Sequence, residues 1–341
     1  MSLNLDSLEA VAEAMTAPGK GILAADESTG TIGSRFSQIN TESTFESRNA
    51  YRDLLFSAEG MENYISGVIL YDETLRQSSL KDNLIYPEYL MNKGVVPGIK
   101  VDMGAHDLPK SDGEKITSGL DGLDERLKEY RKLGARFAKW RAVINITDDN
   151  PSGHCISANA HALARYAALC QSNDIVPIVE PEILMDGTHD IDDSFVVTEE
   201  VLHRVFFELY SQGASLEQMV LKPNMVLSGY DANDRASVDE VANATLQCFF
   251  RSVPAAVPGI AFLSGGQSDV DATAHLNKMN QILEDNKIWN LTFSYGRALQ
   301  QPVLKAWQGK EENVEAAQEA FLNRAKLNGL ASEGKYSSDM E

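Results

Sequence analysis

Apolar residues come in short runs rich in Val, Ile, Leu and Phe. The runs fall at residues 21–28 (GILAADES), 64–72 (YISGVILYD), 96–102 (VPGIKVD), 137–144 (FAKWRAVI), 175–184 (IVPIVEPEIL), 219–226 (MVLKPNMV), 259–266 (GIAFLSGG) and 290–297 (NLTFSYGR). Their length and composition predict buried strands. Between them the apolar spacing changes to that of a helix face. Leu163, Tyr166, Ala167 and Cys170 follow it, as do Leu202, Val205, Phe206 and Leu209, and Ser237 with Glu240 reads as a capping box ahead of another stripe. The segments ALQQPVLKAW and NVEAAQEAFLNRAKL predict two further helices, and MSLNLDSLEAVAEAM an amphipathic one at the N-terminus. Eight strand–helix units imply an α/β fold, a (β/α)8 TIM barrel with extra N- and C-terminal helices. An open doubly wound sheet shares this alternation. No linker divides residues 1–341, so a single domain is expected, with a mobile polar tail from about residue 332 (SEGKYSSDME).

Composition narrows the function. Thirty Lys and Arg stand against fifty Asp and Glu, a net charge of −20. Nucleic acid and anionic membrane surfaces are poor partners for such a chain. Its three cysteines, Cys155, Cys170 and Cys248, show no CxxC spacing, which suits a reducing compartment. No apolar run is long enough for a membrane span, and the N-terminus lacks the basic region of a signal peptide, so a cytoplasmic protein is expected.

The strands themselves carry charges. Asp26, Asp72, Lys100, Lys139, Arg141, Glu180, Glu182, Lys222 and Arg297 all lie in or near the C-terminal half of a strand. Alternation puts Lys139 and Arg141 on one face, and likewise Glu180 and Glu182. In a closed barrel that face is the interior near its mouth, where such a set makes an unstable core and a good site for an anion and for proton transfer. FLSGGQS and FSYGR end the seventh and eighth strands, where barrels often bind phosphate. They offer open backbone N–H groups, a hydroxyl and a guanidinium fork. A lysine held neutral there would attack a carbonyl. Lys222 is one candidate; on chemistry alone Lys100 and Lys139 are rivals. The six histidines have no metal-ligand spacing, and the acidic residues 186–193 lack that of a calcium loop, so no metal is expected.

The segments GILAADESTGTIGSRF, PGIKVD, FAKWR, IVPIVEPEIL, VLKPNM, AFLSGGQS and TFSYGRALQ closely resemble those of the class I fructose-bisphosphate aldolases, from about residue 19 to about residue 336. The resemblance implies a metal- and cofactor-free Schiff-base lyase of glycolysis and gluconeogenesis. It would cleave fructose 1,6-bisphosphate reversibly into dihydroxyacetone phosphate and glyceraldehyde 3-phosphate. It implies Lys222 as the imine-forming residue and Glu180 as proton carrier. Glu182 would hold the lysine network, Lys139 would assist carbinolamine formation, and Asp26 would accept the C4 hydroxyl proton. Ser264, Gly265, Ser294, Gly296 and Arg297 match the site of the C1 phosphate. Ser28, Thr31, Arg35, Arg48 and Lys100 match residues around the other phosphate, and Arg141 lines the mouth. A homotetramer is also implied. A Schiff-base aldolase for another sugar phosphate and an inactive binding barrel are the alternatives.

Two positions depart from the family. Animal members end in a tail whose final tyrosine helps protonate the enamine, whereas this sequence ends SSDME and its last tyrosine is Tyr336. Ser34 stands where the family often has a lysine, which leaves the preference between bisphosphate and monophosphate sugars open.

Overall fold

The computed structural model describes residues 5–284 and 286–341. Its barrel strands are β1 (Gly21–Ala25), β2 (Ile65–Leu70), β3 (Val96–Lys100), β4 (Phe137–Ile144), β5 (Val176–Ile183), β6 (Val220–Leu221), β7 (Gly259–Phe262) and β8 (Asn290–Tyr295). All pair in parallel with their neighbours in sequence, and the ring closes through Ile22 opposite Ser294 and Leu23 opposite Tyr295. An open sheet is therefore excluded. Around the ring run α2 (Thr29–Ser37), α3 (Phe45–Ser57), α4 (Asp72–Arg76), α5 (Tyr86–Asn92), α6 (Leu123–Lys132), α7 (Gly153–Gln171), α8 (Ile191–Ser211), α9 (Val238–Ser252), α10 (Asp269–Leu283), α11 (Arg297–Trp307) and α12 (Val314–Ser332). They are preceded by α1 (Leu8–Met15). The predicted helix stripes are buried faces of α7 and α8, and the Ser237–Glu240 capping box opens α9.

Two apolar cores result. The larger lies between strands and helices, where alternate strand residues such as Leu23, Ala138, Trp140, Val179 and Leu221 face outward. The smaller fills the lower barrel interior with Ile22, Ile69, Val96, Phe137, Val176, Ile178, Val220 and Ala261, and α1 plugs it with Val11, Ala12 and Met15. α1 is tied in by the Ser66 hydroxyl, which donates to the Met15 carbonyl at 2.6 Å. Phe137 is the one ring in this lower interior among the described residues, and glycines make room for it. A Cβ on Gly98 would meet the ring at 2.2 Å, and one on Gly67 at 3.2 Å.

Three features differ from the sequence reading. β6 is only two residues long within the run 219–226, because Pro223 has no N–H to continue the ladder. Lys222 still donates its N–H to the Val179 carbonyl at 2.8 Å, so its side chain stays in register. An unanticipated antiparallel hairpin, Ala105–Asp107 with Lys115–Thr117, stands at the barrel mouth, where the Thr117 hydroxyl donates to the Arg141 carbonyl at 2.7 Å. The segment read as a mobile tail is mostly exposed, but it is anchored at Tyr336 and Glu341. Tyr336 is buried, its N–H donates to Asn277 at 2.9 Å, and its hydroxyl donates to Glu341 at 2.8 Å. Glu341 also pairs with the buried Arg324 at 2.5 Å.

Candidate active site

The interior parity of each strand sets what reaches the mouth. On β4 the inward series is Phe137, Lys139, Arg141; on β5 it is Val176, Ile178, Glu180, Glu182. β1 leads inward through Ile22 and Ala24 to Asp26, and β6 through Val220 to Lys222. Each strand thus turns from apolar to ionisable at about the same height. The result is a cleft of about 1100 Å³ at the C-terminal end of the barrel.

Lys139 is the centre of its floor. Its ammonium lies 2.8 Å from Asp26, 3.7 Å from Asp102 and 3.7 Å from Glu180. Burial alone would lower its pKa, but these carboxylates reverse the effect and hold it above the ordinary lysine value. Asp26 shows the mirror image. Burial would raise its pKa, and Lys139, Lys222 and Lys100 together hold the carboxyl well below the usual range. Lys222 lies 3.2 Å from one oxygen of Glu180, whose other oxygen is buried without a hydrogen bond. Lys100 pairs with Asp102 at 2.7 Å and also donates to its carbonyl. Arg141 pairs with Glu182. On Arg141, burial is likewise outweighed by Glu182, and the guanidinium is held firmly charged.

The rim supplies anion donors. Ser28 caps α2, its Oγ accepting the Thr31 N–H at 3.3 Å and lying 3.0 Å from the Thr31 hydroxyl. That aims the helix N-terminus at the cleft. Across the mouth lie Ser264 and Gly265 after β7, and Ser294, Gly296 and Arg297 at the end of β8. The buried Ser294 hydroxyl has no hydrogen-bond partner, and Arg297 makes no ion pair among the described residues.

The structure therefore brings Lys222, Glu180, Asp26, Lys139, Glu182, Ser28, Thr31, Arg35, Lys100, Arg141, Ser264, Gly265, Ser294, Gly296 and Arg297 to one cleft. Arg48 is the exception. Its guanidinium grips both oxygens of Glu73 at 2.7 Å and also donates to Ser43, outside the cleft lining. Arg35 lines the cleft but is also paired, with Glu27.

Sequence reasoning missed three carboxylates of the lining, Glu27, Asp102 and Glu129, the last paired with Arg76 at 2.6 Å. Asp102 links Lys100 and Lys139; it lies two residues beyond Lys100, so the parity rule carried one step further would have found it. Glu27 also lines the cleft, and besides Arg35 it binds Arg52 at 2.6 Å and accepts from Gln300 at 2.9 Å. The mouth is not simply basic. Eight cationic and seven acidic side chains line it, so most of the cations are already neutralised. The acidic residues 186–193 serve as a helix start: Asp190 and Asp193 form the capping box of α8. Among the described residues, no group of three or more His, Cys, Asp or Glu is disposed to hold a metal ion.

Comparison with known proteins gives one consistent result. The family model described as fructose-bisphosphate aldolase class-I matches residues 7–341. A probable fructose-bisphosphate aldolase class 1 of Xylella fastidiosa is 55% identical over 335 residues, covering 98% of this chain and 99% of that one. The cytosolic fructose-bisphosphate aldolase 4 of Arabidopsis thaliana is 53% identical, covering 95% of this chain and 82% of its own length. Among solved structures, the fructose-bisphosphate aldolase of Plasmodium falciparum, in complex with TRAP and a small molecule inhibitor, superposes with a TM-score of 0.95 at 49% identity. That match covers 98% of this chain and 96% of that one. The chain belongs to the class I fructose-bisphosphate aldolases, metal-independent lyases that reversibly cleave fructose 1,6-bisphosphate into dihydroxyacetone phosphate and glyceraldehyde 3-phosphate.

Proposed function

We propose that Lys222 is the nucleophile of this reaction and that the surrounding groups divide the proton transfers between them. The observation that carries this reading is the unequal hold on the three lysines. Lys139 is fixed as an ammonium by three carboxylates, and Lys100 is bound twice by Asp102. Lys222 has a single ion pair among the described residues, with Glu180 at 3.2 Å. Its amine attacks the C2 carbonyl of the open-chain sugar. Glu180 carries the proton that lets the carbinolamine lose water, and Lys139 steadies the developing oxygen charge. A protonated imine results. Asp26 then takes the C4 hydroxyl proton, the C4–O pair becomes a carbonyl, and the C3–C4 pair flows into the imine to give an enamine. Glyceraldehyde 3-phosphate leaves. Protonation at C3 and hydrolysis by water release dihydroxyacetone phosphate and restore Lys222. Glu182, paired with Arg141, keeps the upper layer of the cleft in place.

Ser264, Gly265, Ser294, Gly296 and Arg297 suit the C1 phosphate, since the free Ser294 hydroxyl and the unpaired Arg297 offer donors with no internal claim on them. Ser28, Thr31, Arg35 and Lys100 suit the second phosphate. Arg48 fits a supporting role better, as its hydrogen-bonding capacity is spent on Glu73 and Ser43.

Borohydride reduction with dihydroxyacetone phosphate, followed by intact-mass measurement and peptide mapping, tests the assignment. A single adduct on Lys222, absent from Lys222→Met, is expected. An adduct on Lys139 or Lys100 overturns the division of roles, and cleavage without any adduct overturns the imine itself.

We also read the chain as one domain that works in the cytoplasm as a homotetramer, without nucleic-acid or membrane partners. The acidic charge, the buried unpaired cysteines and the cytosolic relative support this. No helix among the described residues is long and apolar enough to cross a membrane. Exposed Val196, Phe207 and Tyr210 on α8 and Phe250 on α9 give an apolar surface of the kind subunits cover. Sedimentation as a single-chain species would contradict the tetramer.

A further inference from the structure

One aromatic hydroxyl lies against the loop assigned above to the C1 phosphate. Residues 229–231, in the segment after β6, are stitched to the segment after β5 by three backbone bonds. Gly229 donates to the His189 carbonyl at 2.9 Å, Tyr230 to Met185 at 2.8 Å and Asp231 to Gly187 at 3.0 Å. The contact is close enough to demand glycine at 229, where a Cβ would lie 2.2 Å from the Gly187 oxygen. So anchored, the Tyr230 side chain spans to the loop after β7. Its hydroxyl donates to the Gly265 carbonyl across 3.2 Å. A Cβ on Gly266 would lie 1.8 Å from that hydroxyl and 2.9 Å from Nη2 of Arg297, so hydroxyl and guanidinium flank the bare backbone of Gly266.

The consequence is an orientation. Gly265 and Gly266 have φ of +59° and +90°, a conformation in which glycine is free to turn its peptide planes. In a trans peptide the C=O and the following N–H point in opposite directions. A hydroxyl that holds the Gly265 carbonyl therefore turns the Gly266 N–H away from Tyr230. Gly265 lines the cleft.

We propose that Tyr230 is a positioning residue for phosphate recognition, holding the Gly265–Gly266 peptide so that the Gly266 N–H and Arg297 are presented together to the C1 phosphate. The proposal rests on the reading that this loop binds that phosphate. Burial raises the Tyr230 pKa above its ordinary value against the pull of Arg297, so the group is a hydrogen-bond donor at neutral pH.

The test compares Tyr230→Phe with the unaltered enzyme in borohydride trapping of two ketones, dihydroxyacetone phosphate and dihydroxyacetone, which lacks the phosphate. Tyr230 is 38% exposed, so removing one oxygen leaves the fold intact. Losing one neutral hydrogen bond should raise the half-saturating concentration of dihydroxyacetone phosphate about fivefold. Dihydroxyacetone should be unaffected, and KM for fructose 1,6-bisphosphate should rise with kcat preserved. Unchanged trapping of both ketones overturns the proposal, as does an equal loss with both, which marks a general loosening. Arg297→Ala separates this from failure of the underlying reading. If that variant traps dihydroxyacetone phosphate normally, the loop is not the phosphate site and the proposal falls with it. If it is impaired while Tyr230→Phe is not, only the role of Tyr230 is lost.

Discussion

Asp26 presents a tension that the reaction itself resolves. Burial opposes its charge, and Lys139, Lys222 and Lys100 overcome that opposition and hold the carboxyl ionised far below its usual range. A carboxylate held so low is a weak base in the resting cleft. In the mechanism proposed above, however, the positive charge on the Lys222 nitrogen disappears as the C3–C4 electron pair flows into the imine. On that reading one of the cations depressing Asp26 vanishes as its proton arrives, and its basicity rises in the transition state. Asp26→Asn should therefore lower kcat by about 10²- to 10⁴-fold and leave the trapped dihydroxyacetone phosphate adduct at its normal yield. Loss of the adduct would move Asp26 into imine formation. The pH dependence of stability has a definite sign. The folded pKa lies below the reference value of 3.8, so the ionised group contributes stability that is present above that value and is lost as pH falls through the folded pKa. Denaturation midpoints of Asp26→Asn and the unaltered protein should stay a constant distance apart from about pH 5 to about pH 9, and converge only at lower pH.

At the scale of elements, legibility followed burial. The run 137–144 coincides with β4 because a strand covered on both sides is apolar or functionally charged from end to end. β6 was overestimated because the apolar run continues past Pro223 after the ladder has stopped. The hairpin at 105–107 and 115–117 was invisible because its first strand is exposed at every position. The docked C-terminal segment depends on a single buried tyrosine among polar residues, which gives no periodicity to read. In the cleft, strand parity was enough to place Lys139, Arg141, Glu180 and Glu182 together. Ion pairs between separate segments, such as Arg48 with Glu73, carry no local signature. Phe137 shows how the lower layer supports the upper, for it sits one inward position beneath Lys139. Gly98→Ala would drive a Cβ to 2.2 Å from its ring. Overpacking of this kind costs about 1–3 kcal/mol, to be read from the denaturation midpoint. Combining it with Phe137→Leu should recover much of the loss; a Gly98→Ala protein of unaltered stability would mean the interior is looser than the glycines imply.

At the scale of the molecule, a chain of net charge −20 admits a substrate bearing two phosphates. The cleft lining is close to neutral, with eight cations against seven carboxylates, so the excess negative charge lies on the remaining surface. The two fields act over different ranges. The Debye length is about 30 Å at 0.01 M salt and about 8 Å at 0.15 M. In dilute salt an approaching bisphosphate meets the repulsion of the whole molecule. Near 0.15 M that repulsion is screened before the substrate reaches the mouth, whereas the phosphate donors proposed above, Arg297 and the N-terminus of α2, act at contact distance and lose little. Raising potassium chloride from about 0.01 M to about 0.15 M should therefore lower KM for fructose 1,6-bisphosphate about threefold with kcat unchanged. Imine formation with uncharged dihydroxyacetone should not respond. A KM that rises throughout this range would show that the cleft cations outweigh the surface at every distance, and that the nearly neutral lining is not what an approaching substrate feels.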